Sequence, residues 1–532
     1  MKVARAAWLV AVLLVAGIAL RIALQFPLHR YGNEADSLVT GFGAWEILAG
    51  DLRVFVSTGY RHGALASYLA AAASILVGPG RAALAVEVLA VGILQMFVWW
   101  LALLELTGWR PREAGSARLL AFVALPSPAL VYWGIYFPTG YPEQILSASL
   151  VLWCGARFWR RGGRGELFAF AFASGFALWM SMLTLTVTIP LFVWLIWRRR
   201  AELLQLPGMA LLASGAVLGA LPWLLFNLRY GWVSFKANWA VRPASGWAAL
   251  AANCRRLFFE VLPGLFAAAP QASPMPPPTT QGRFLGWVAL ALTGLVIVWL
   301  GRAIYRCRRG RERPLGPAAE LLPLAALAAG IAVTTALLFV FSAAATVPGN
   351  IVRYVLPVFL IWPLVFALAW EVAAPLARRG LTLLALVVLV GFAAAVPWPW
   401  TSERLALREA LAVEHQMIAR LESIGIDTVF GSFWEVYPLI FESGGKLHGS
   451  TLEPENDFHR FAAGLPAGSC RWALVARARS GLKNAETAGV SGDSLRFSDG
   501  RWLFVPELSS DLREEAPSCC EILGLLRAGF RR

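Results

Sequence analysis

Charge is scarce in this chain. Only 15% of its 532 residues are Asp, Glu, Lys or Arg, while 58% are hydrophobic, and the mean hydropathy is +0.62. A soluble globular chain carries about 25% charged residues, so that class is excluded. Cysteine is scarce as well: there are six, and no spacing among them resembles a zinc site. Cys470, Cys519 and Cys520 fall late in the chain, where an oxidising compartment would let them pair, although vicinal Cys519-Cys520 is not expected to bridge to itself. Acid is scarcer than base, 32 residues against 47. The basic excess sits in short runs between apolar segments, as topology determinants do, and is not a nucleic-acid footprint. No convincing internal repeat is present, which weighs against an inverted-repeat transporter.

What is there is a series of apolar segments near the roughly 20 residues that cross a hydrocarbon core about 30 Å thick. The first, from Ala6 to about Leu24, follows Lys2 and Arg5. It is too long for a signal-peptide core and lacks a clear cleavage site, so it reads as a retained anchor with a cytoplasmic N-terminus. Ala82–Thr107 is a span ending in the basic loop Arg110, Arg112 and Arg118. For both ends to be cytoplasmic, the shorter Ala64–Val77 must not cross, so it is expected as a juxtamembrane or re-entrant helix on the outer side. Further spans follow at Leu119–Tyr136, Ile145–Phe158, Leu167–Leu183 paired with Leu185–Trp197, Leu206–Phe226, Leu285–Ile304, Leu321–Phe341, Ile351–Trp370 and Leu381–Val396. The expected fold is a polytopic α-helical membrane protein of about eleven transmembrane helices. Its outer loops are 26–81 and 227–283. The second carries six basic residues, and long loops escape the positive-inside rule more often than short ones. Most of the 24 tryptophans, Trp99-Trp100, Trp398 and Trp400 among them, read as interfacial belts.

After Trp400 the chain takes on ordinary polarity. Glu403–Ile424 has helical periodicity, Asp427–Gly431 reads as a strand, Trp434–Phe441 as a helix, and Lys446–Thr451 and Trp472–Ala476 as strands. Residues 1–400 therefore form a transmembrane domain and 401–532 a soluble α/β domain, which the topology puts on the outer face. The Ala, Arg and Gly richness resembles that of a protein from a GC-rich bacterium, so the expected location is the bacterial inner membrane, with the C-terminal domain periplasmic.

Ionisable groups at membrane depth are functional candidates. On the outer rim these include Glu34 and Asp36 behind the first span, Arg61 and His62 before the short helix, Glu143 in Gly140-Tyr141-Pro142-Glu143, and Arg353 with Tyr354 where a span re-enters. Two acidic loops and two basic points on one rim suit attack on a sugar anomeric carbon with a lipid phosphate leaving. A carboxylate takes the proton of the acceptor hydroxyl, and cations hold the departing phosphate. Each residue also has a plainer reading. Glu34 can serve the helix dipole, Asp36 an N-cap, Glu143 the start of the next helix beside Pro142, and Arg353 a snorkelling position.

Asn33-Glu34-Ala35, Ile47-Leu48-x-Gly50, Gly63-x-Leu65-x-x-Tyr68-Leu69, Gly140-Tyr141-Pro142-Glu143 and Arg353-Tyr354-Val355-Leu356-Pro357 together resemble the GT-C superfamily of membrane glycosyltransferases. The likeness is to bacterial proteins of the protein-O-mannosyltransferase and aminoarabinose-transferase type, the glycosyltransferase family 39 group. It covers roughly residues 1–400 and is softer beyond. The resemblance implies a polyprenyl-phosphate sugar donor, an extracytoplasmic active site, inversion at the anomeric carbon, and a glycan, lipid or protein acceptor. It assigns Glu34, Asp36 and Glu143 to the acid–base chemistry, and Arg353, Tyr354, Arg61 and His62 to the donor phosphate. No cofactor is assigned, with a divalent cation left open. The family carries an Asp-Glu pair in its first outer loop, with the Asp usually given the base role. Here Asn33 occupies that position, and an amide cannot accept the proton. Either Glu34 takes over, or the chemistry differs, or the chain is a non-catalytic or transport protein of the same fold handling lipid-linked sugars.

Overall fold

The computed structural model describes residues 2–25, 35–56, 62–131, 133–134, 140–237, 246–266, 280–308, 321–342, 351–373, 375–395, 402–452, 471–476, 492–498, 501–506, 523 and 526. The chain forms two compact units. One comprises 1–25, 59–66 and 88–398; the other comprises 26–58, 67–87 and 399–532.

The first unit is helical, and the helix Arg81–Thr107 enters it at Val88, its residues 81–87 belonging to the second unit. Ala4–Gln25, Arg81–Thr107, Met182–Leu203, Pro323–Phe341 and Arg353–Glu371 are long and apolar enough to cross a membrane, and the chain is a multi-pass membrane protein. Several spans expected to be continuous are broken, each at proline. The expected Leu119–Tyr136 helix stops at Ala124, because Leu125 precedes Pro126 and is pushed to φ −115°, ψ 72°. A short helix, Pro128–Val131, follows. The expected Leu206–Phe226 span is two helices, Leu206–Gly219 and Leu221–Arg229, bent by 70° with Pro222 opening the second. The first half of the expected Ile351–Trp370 helix is a 3₁₀ helix, Ile351–Ile361, with Pro357 inside it, and Trp362–Val372 continues as α-helix.

Arg21, in the first helix and 1% exposed, is the buried polar anchor of this unit. Its Nε donates to Gly92 O at 3.0 Å, Nη1 to Gly17 O at 3.0 Å and Ala124 O at 3.3 Å, and Nη2 to Val123 O at 3.2 Å. Val123 and Ala124 end the broken helix, so the guanidinium caps carbonyls that have no partner within that helix. Trp99 and Trp100 do not stand exposed as belt residues would: both are buried, and their indole N–H groups donate to Leu360 O at 2.8 Å and Ser116 O at 3.4 Å. That hydrogen bonding explains why indoles sit inside rather than in a belt.

The second unit carries a five-stranded sheet. Its strands are β1 (Thr428–Gly431), β2 (His448–Thr451), β3 (Trp472–Ala476), β4 (Gly492–Arg496) and β5 (Trp502–Pro506), in the order β2-β1-β3-β5-β4. The β2-β1-β3 part is parallel and the β3-β5-β4 part antiparallel. The helix Phe433–Glu442 makes the crossover from β1 to β2. It packs on the helix Ala35–Leu48 through Trp45 stacked on Phe441 at 4.9 Å and Phe42 edge-on to Tyr437 at 5.4 Å. Gly41 lets Phe441 lie where a Cβ would otherwise stand. An ionic cluster in the same unit ties the end of the Phe433–Glu442 helix to Arg81 and to the Ser402–Ser423 helix. Arg81 pairs with Glu442 and, at 3.4 Å, with Glu414; Arg501 reaches Glu414 at 3.3 Å, and His415 reaches Glu442 at 3.2 Å.

Candidate active site

The first unit gathers the rim residues of the Arg61–His62, Gly140–Glu143 and Arg353–Tyr354 segments, apart from Arg61, which lies outside the described residues. The helix Tyr141–Arg161 opens with Pro142 in its first turn, where the missing N–H costs nothing. Glu143 stands in that first turn and is fully buried, so it is a helix-start residue rather than part of the preceding turn. Gly140 precedes the helix at φ +87°, a conformation that favours glycine. A Cβ there would also lie 2.7 Å from Cβ and Cγ of His62. Both constraints let the His62 segment run against the helix start.

His62 is itself held in place. The N–H of Gly63 donates to Met180 O at 3.1 Å, at the end of the helix Arg164–Met180. A Cβ on Gly63 would meet Trp179 O at 2.9 Å, so glycine permits this approach. The His62 ring then meets Tyr141 edge-on, with centroids 4.8 Å apart.

Arg353 supplies the cation. Its guanidinium lies 5.5 Å from the Trp133 ring, 5.6 Å from Tyr141 and 5.1 Å from Tyr354. Its Nη2 donates to the Tyr354 hydroxyl at 3.1 Å. Trp133 and Tyr141 are edge-on at 5.1 Å. Rings at such distances attract the cation and orient it, leaving a planar charge suited to oxyanions. The 3₁₀ conformation of Ile351–Ile361 places Arg353 and Tyr354 here.

His62, Tyr141, Trp133, Arg353 and Tyr354 thus form one cluster, with Glu143 in the same helical turn as Tyr141. Trp133 was not among the residues singled out in the sequence. The signal available for it was an aromatic residue just ahead of the Gly140–Glu143 motif. Asp36 lies in the second unit, in the first turn of Ala35–Leu48, and Glu34 lies outside the described residues. Among the described residues, no three His, Cys, Asp or Glu side chains come together as a metal site.

No family model matches the chain, and no curated protein matches it by sequence. Solved structures do match in three dimensions. ArnT from Cupriavidus metallidurans bound to undecaprenyl phosphate is 16% identical, with a TM-score of 0.59 over 94% of this chain and 98% of that one. Its apo state is 14% identical, with a TM-score of 0.58 over the same shares. An oligosaccharyltransferase from Archaeoglobus fulgidus is 12% identical, with a TM-score of 0.43 over 94% of this chain and 75% of that one. At these identities the likeness to ArnT is one of fold: the chain is a polytopic membrane protein that shares the fold of ArnT, with a C-terminal sheet domain.

Proposed function

We propose that this protein is an integral-membrane glycosyltransferase that moves a sugar from a polyprenyl-phosphate donor to an extracytoplasmic acceptor, a glycan, lipid or protein. The observation that carries the reading is the Arg353 cation among Trp133, Tyr141 and Tyr354, in contact with the helix that carries Glu143 in its first turn. That is a fixed positive group of the kind a leaving phosphate needs. The fold it shares with ArnT bound to undecaprenyl phosphate supports the donor class by analogy.

In this reading the acceptor oxygen attacks the anomeric carbon from the face opposite the phosphate, which inverts the configuration. The new C–O bond forms as the bond from carbon to phosphate oxygen breaks. The hydroxyl proton passes to the carboxylate of Glu34, with Asp36 in support, and the electron pair leaves with polyprenyl phosphate. Arg353 and Tyr354 hold that phosphate, with Arg61 and His62 beside them. Glu143 orients the acceptor or supports the first acid. With Asn33 unable to take a proton, the base role falls to Glu34. The reading places the protein in a bacterial inner membrane, with its N-terminus cytoplasmic and the 401–532 region on the outer side.

Transfer of label from undecaprenyl-phosphate sugars in membranes tests it. Glu34→Gln should lower kcat by roughly 100-fold or more, as loss of a general base does. Equal transfer by the variant and the wild type would remove Glu34 from the base role. Absence of transfer by wild type, across sugars and acceptors, would favour a lipid-linked-sugar carrier.

A further inference from the structure

Gln144 lies one turn after Tyr141 in the Tyr141–Arg161 helix and is fully buried. Its backbone is committed: the N–H donates to Gly140 O at 3.0 Å, and the carbonyl accepts from Ser147 Oγ at 2.9 Å. Its side-chain amide is not, for among the described residues neither Nε2 nor Oε1 has a hydrogen-bond partner. Buried amides left this way are uncommon, because desolvating both a donor and an acceptor is costly. Residues i and i+3 of a helix share a face, so Gln144 lies on the face of Tyr141, the ring that meets His62, Trp133 and Arg353.

A second amide approaches the same segment. Gln95 is 1% exposed, and its Oε1 also lacks a partner among the described residues. It lies 3.8 Å from where a Cβ on Gly134, next to Trp133, would stand, and Ile145 Cδ1 lies 3.2 Å from the same point. The Gln95 amide thus reaches the Trp133–Gly134 segment beside the Arg353 cluster, and the side chain of Ile145, next to Gln144 in the chain, packs on the same segment.

We propose that Gln144 is a specificity-determining residue that reads a hydroxyl of the donor sugar. One amide offers a donor and an acceptor together, which matches a hydroxyl or a vicinal pair on a sugar ring. That role presupposes the polyprenyl-phosphate sugar donor assigned to Arg353. A buried water would satisfy the same amide without any discrimination between sugars.

The test uses full-length protein in detergent with undecaprenyl-phosphate pentoses and hexoses and their monodeoxy analogues. Donor binding is read by tryptophan fluorescence, and transfer is read separately by label. Wild type should bind one parent donor at least about 10-fold tighter than one of its monodeoxy analogues. Gln144→Leu should weaken the parent by roughly 10- to 100-fold and leave that analogue unchanged, so that discrimination collapses. Gln144→Glu, similar in size and still able to accept, should keep part of the discrimination, and it decides the question where Gln144→Leu does not fold. Unchanged discrimination in the variants overturns the role and leaves the amide to a buried water. An equal loss on parent and all analogues overturns it as well, because a structural role acts on every donor alike. Wild type that binds donors but transfers none removes the glycosyltransferase assignment, while the binding ratio still decides Gln144. Wild type that binds none of the donors removes both.

Discussion

A guanidinium bracketed by three rings differs from a bare positive charge in what a substitution takes away. Arg353 holds its guanidinium within 5.1 to 5.6 Å of the Tyr354, Trp133 and Tyr141 rings, and lysine would keep the charge but lose the planar group that the rings surround. Arg353→Lys should weaken donor binding by about 1–2 kcal/mol, or roughly 5- to 30-fold, with kcat less affected. Donor titration of label transfer separates the two, and an unchanged KM would show that the rings do not position this cation. His62, Glu143, Arg353 and Tyr354 were legible in the sequence because polar residues stand out against apolar segments at a membrane rim. Trp133 was not, because tryptophan in such a chain is first taken as an interfacial anchor. Trp99 shows the same difficulty: only the Leu360 carbonyl that accepts its N–H reveals it as a core residue.

At the scale of elements, a hydropathy window finds apolar length and passes over proline. Pro126, Pro222 and Pro357 were all visible, yet each lay inside a stretch apolar enough to read as one span, and each marks a break or a 3₁₀ turn in the structure. The partner that makes the break at Ala124 tolerable, Arg21, lies about 100 residues away along the chain and could not be paired by spacing. Four carbonyls converge on that buried guanidinium. Arg21→Met would leave the last carbonyls of Ala114–Ala124 without a donor in a dry interior. The expected loss is about 3–5 kcal/mol, which combines several unmade hydrogen bonds to a charged group. Arg21→Lys should recover part of it, since an ammonium can reach some of the carbonyls but lacks the planar fork. The melting midpoint of the purified protein in detergent measures both, and a midpoint unchanged in Arg21→Met would mean that these carbonyls find water.

For the whole molecule, the drop in hydropathy after Trp400 announced a C-terminal sheet region, and the helix and the first three strands lay close to where alternation put them. β4 and β5 escaped notice; β4 is largely exposed and has no apolar alternation to betray it. What no local pattern could announce is that the unit holding the sheet also takes in 26–58 and 67–87. Arg81 and Glu442, paired across 361 residues of sequence, belong to this unit, and Glu414 binds both Arg81 and Arg501 there. Burial pushes the Glu414 carboxyl above its usual value of 4.5, against the downward pull of Arg81 and Arg501. A carboxyl whose folded pKa is raised binds its proton more tightly in the fold than in the unfolded chain. Its contribution is therefore fully present below pH 4.5 and is lost as pH rises from there through the folded value. Hydrogen exchange in peptides from 402–423 and 433–442 should accordingly show protection falling as pH is raised above 4.5, after correction for intrinsic exchange. Glu414→Gln, which cannot titrate, should flatten that fall. If the variant and the wild type keep the same slope, the pH dependence of this unit comes from another group, and Glu414 is held charged by its two arginines throughout.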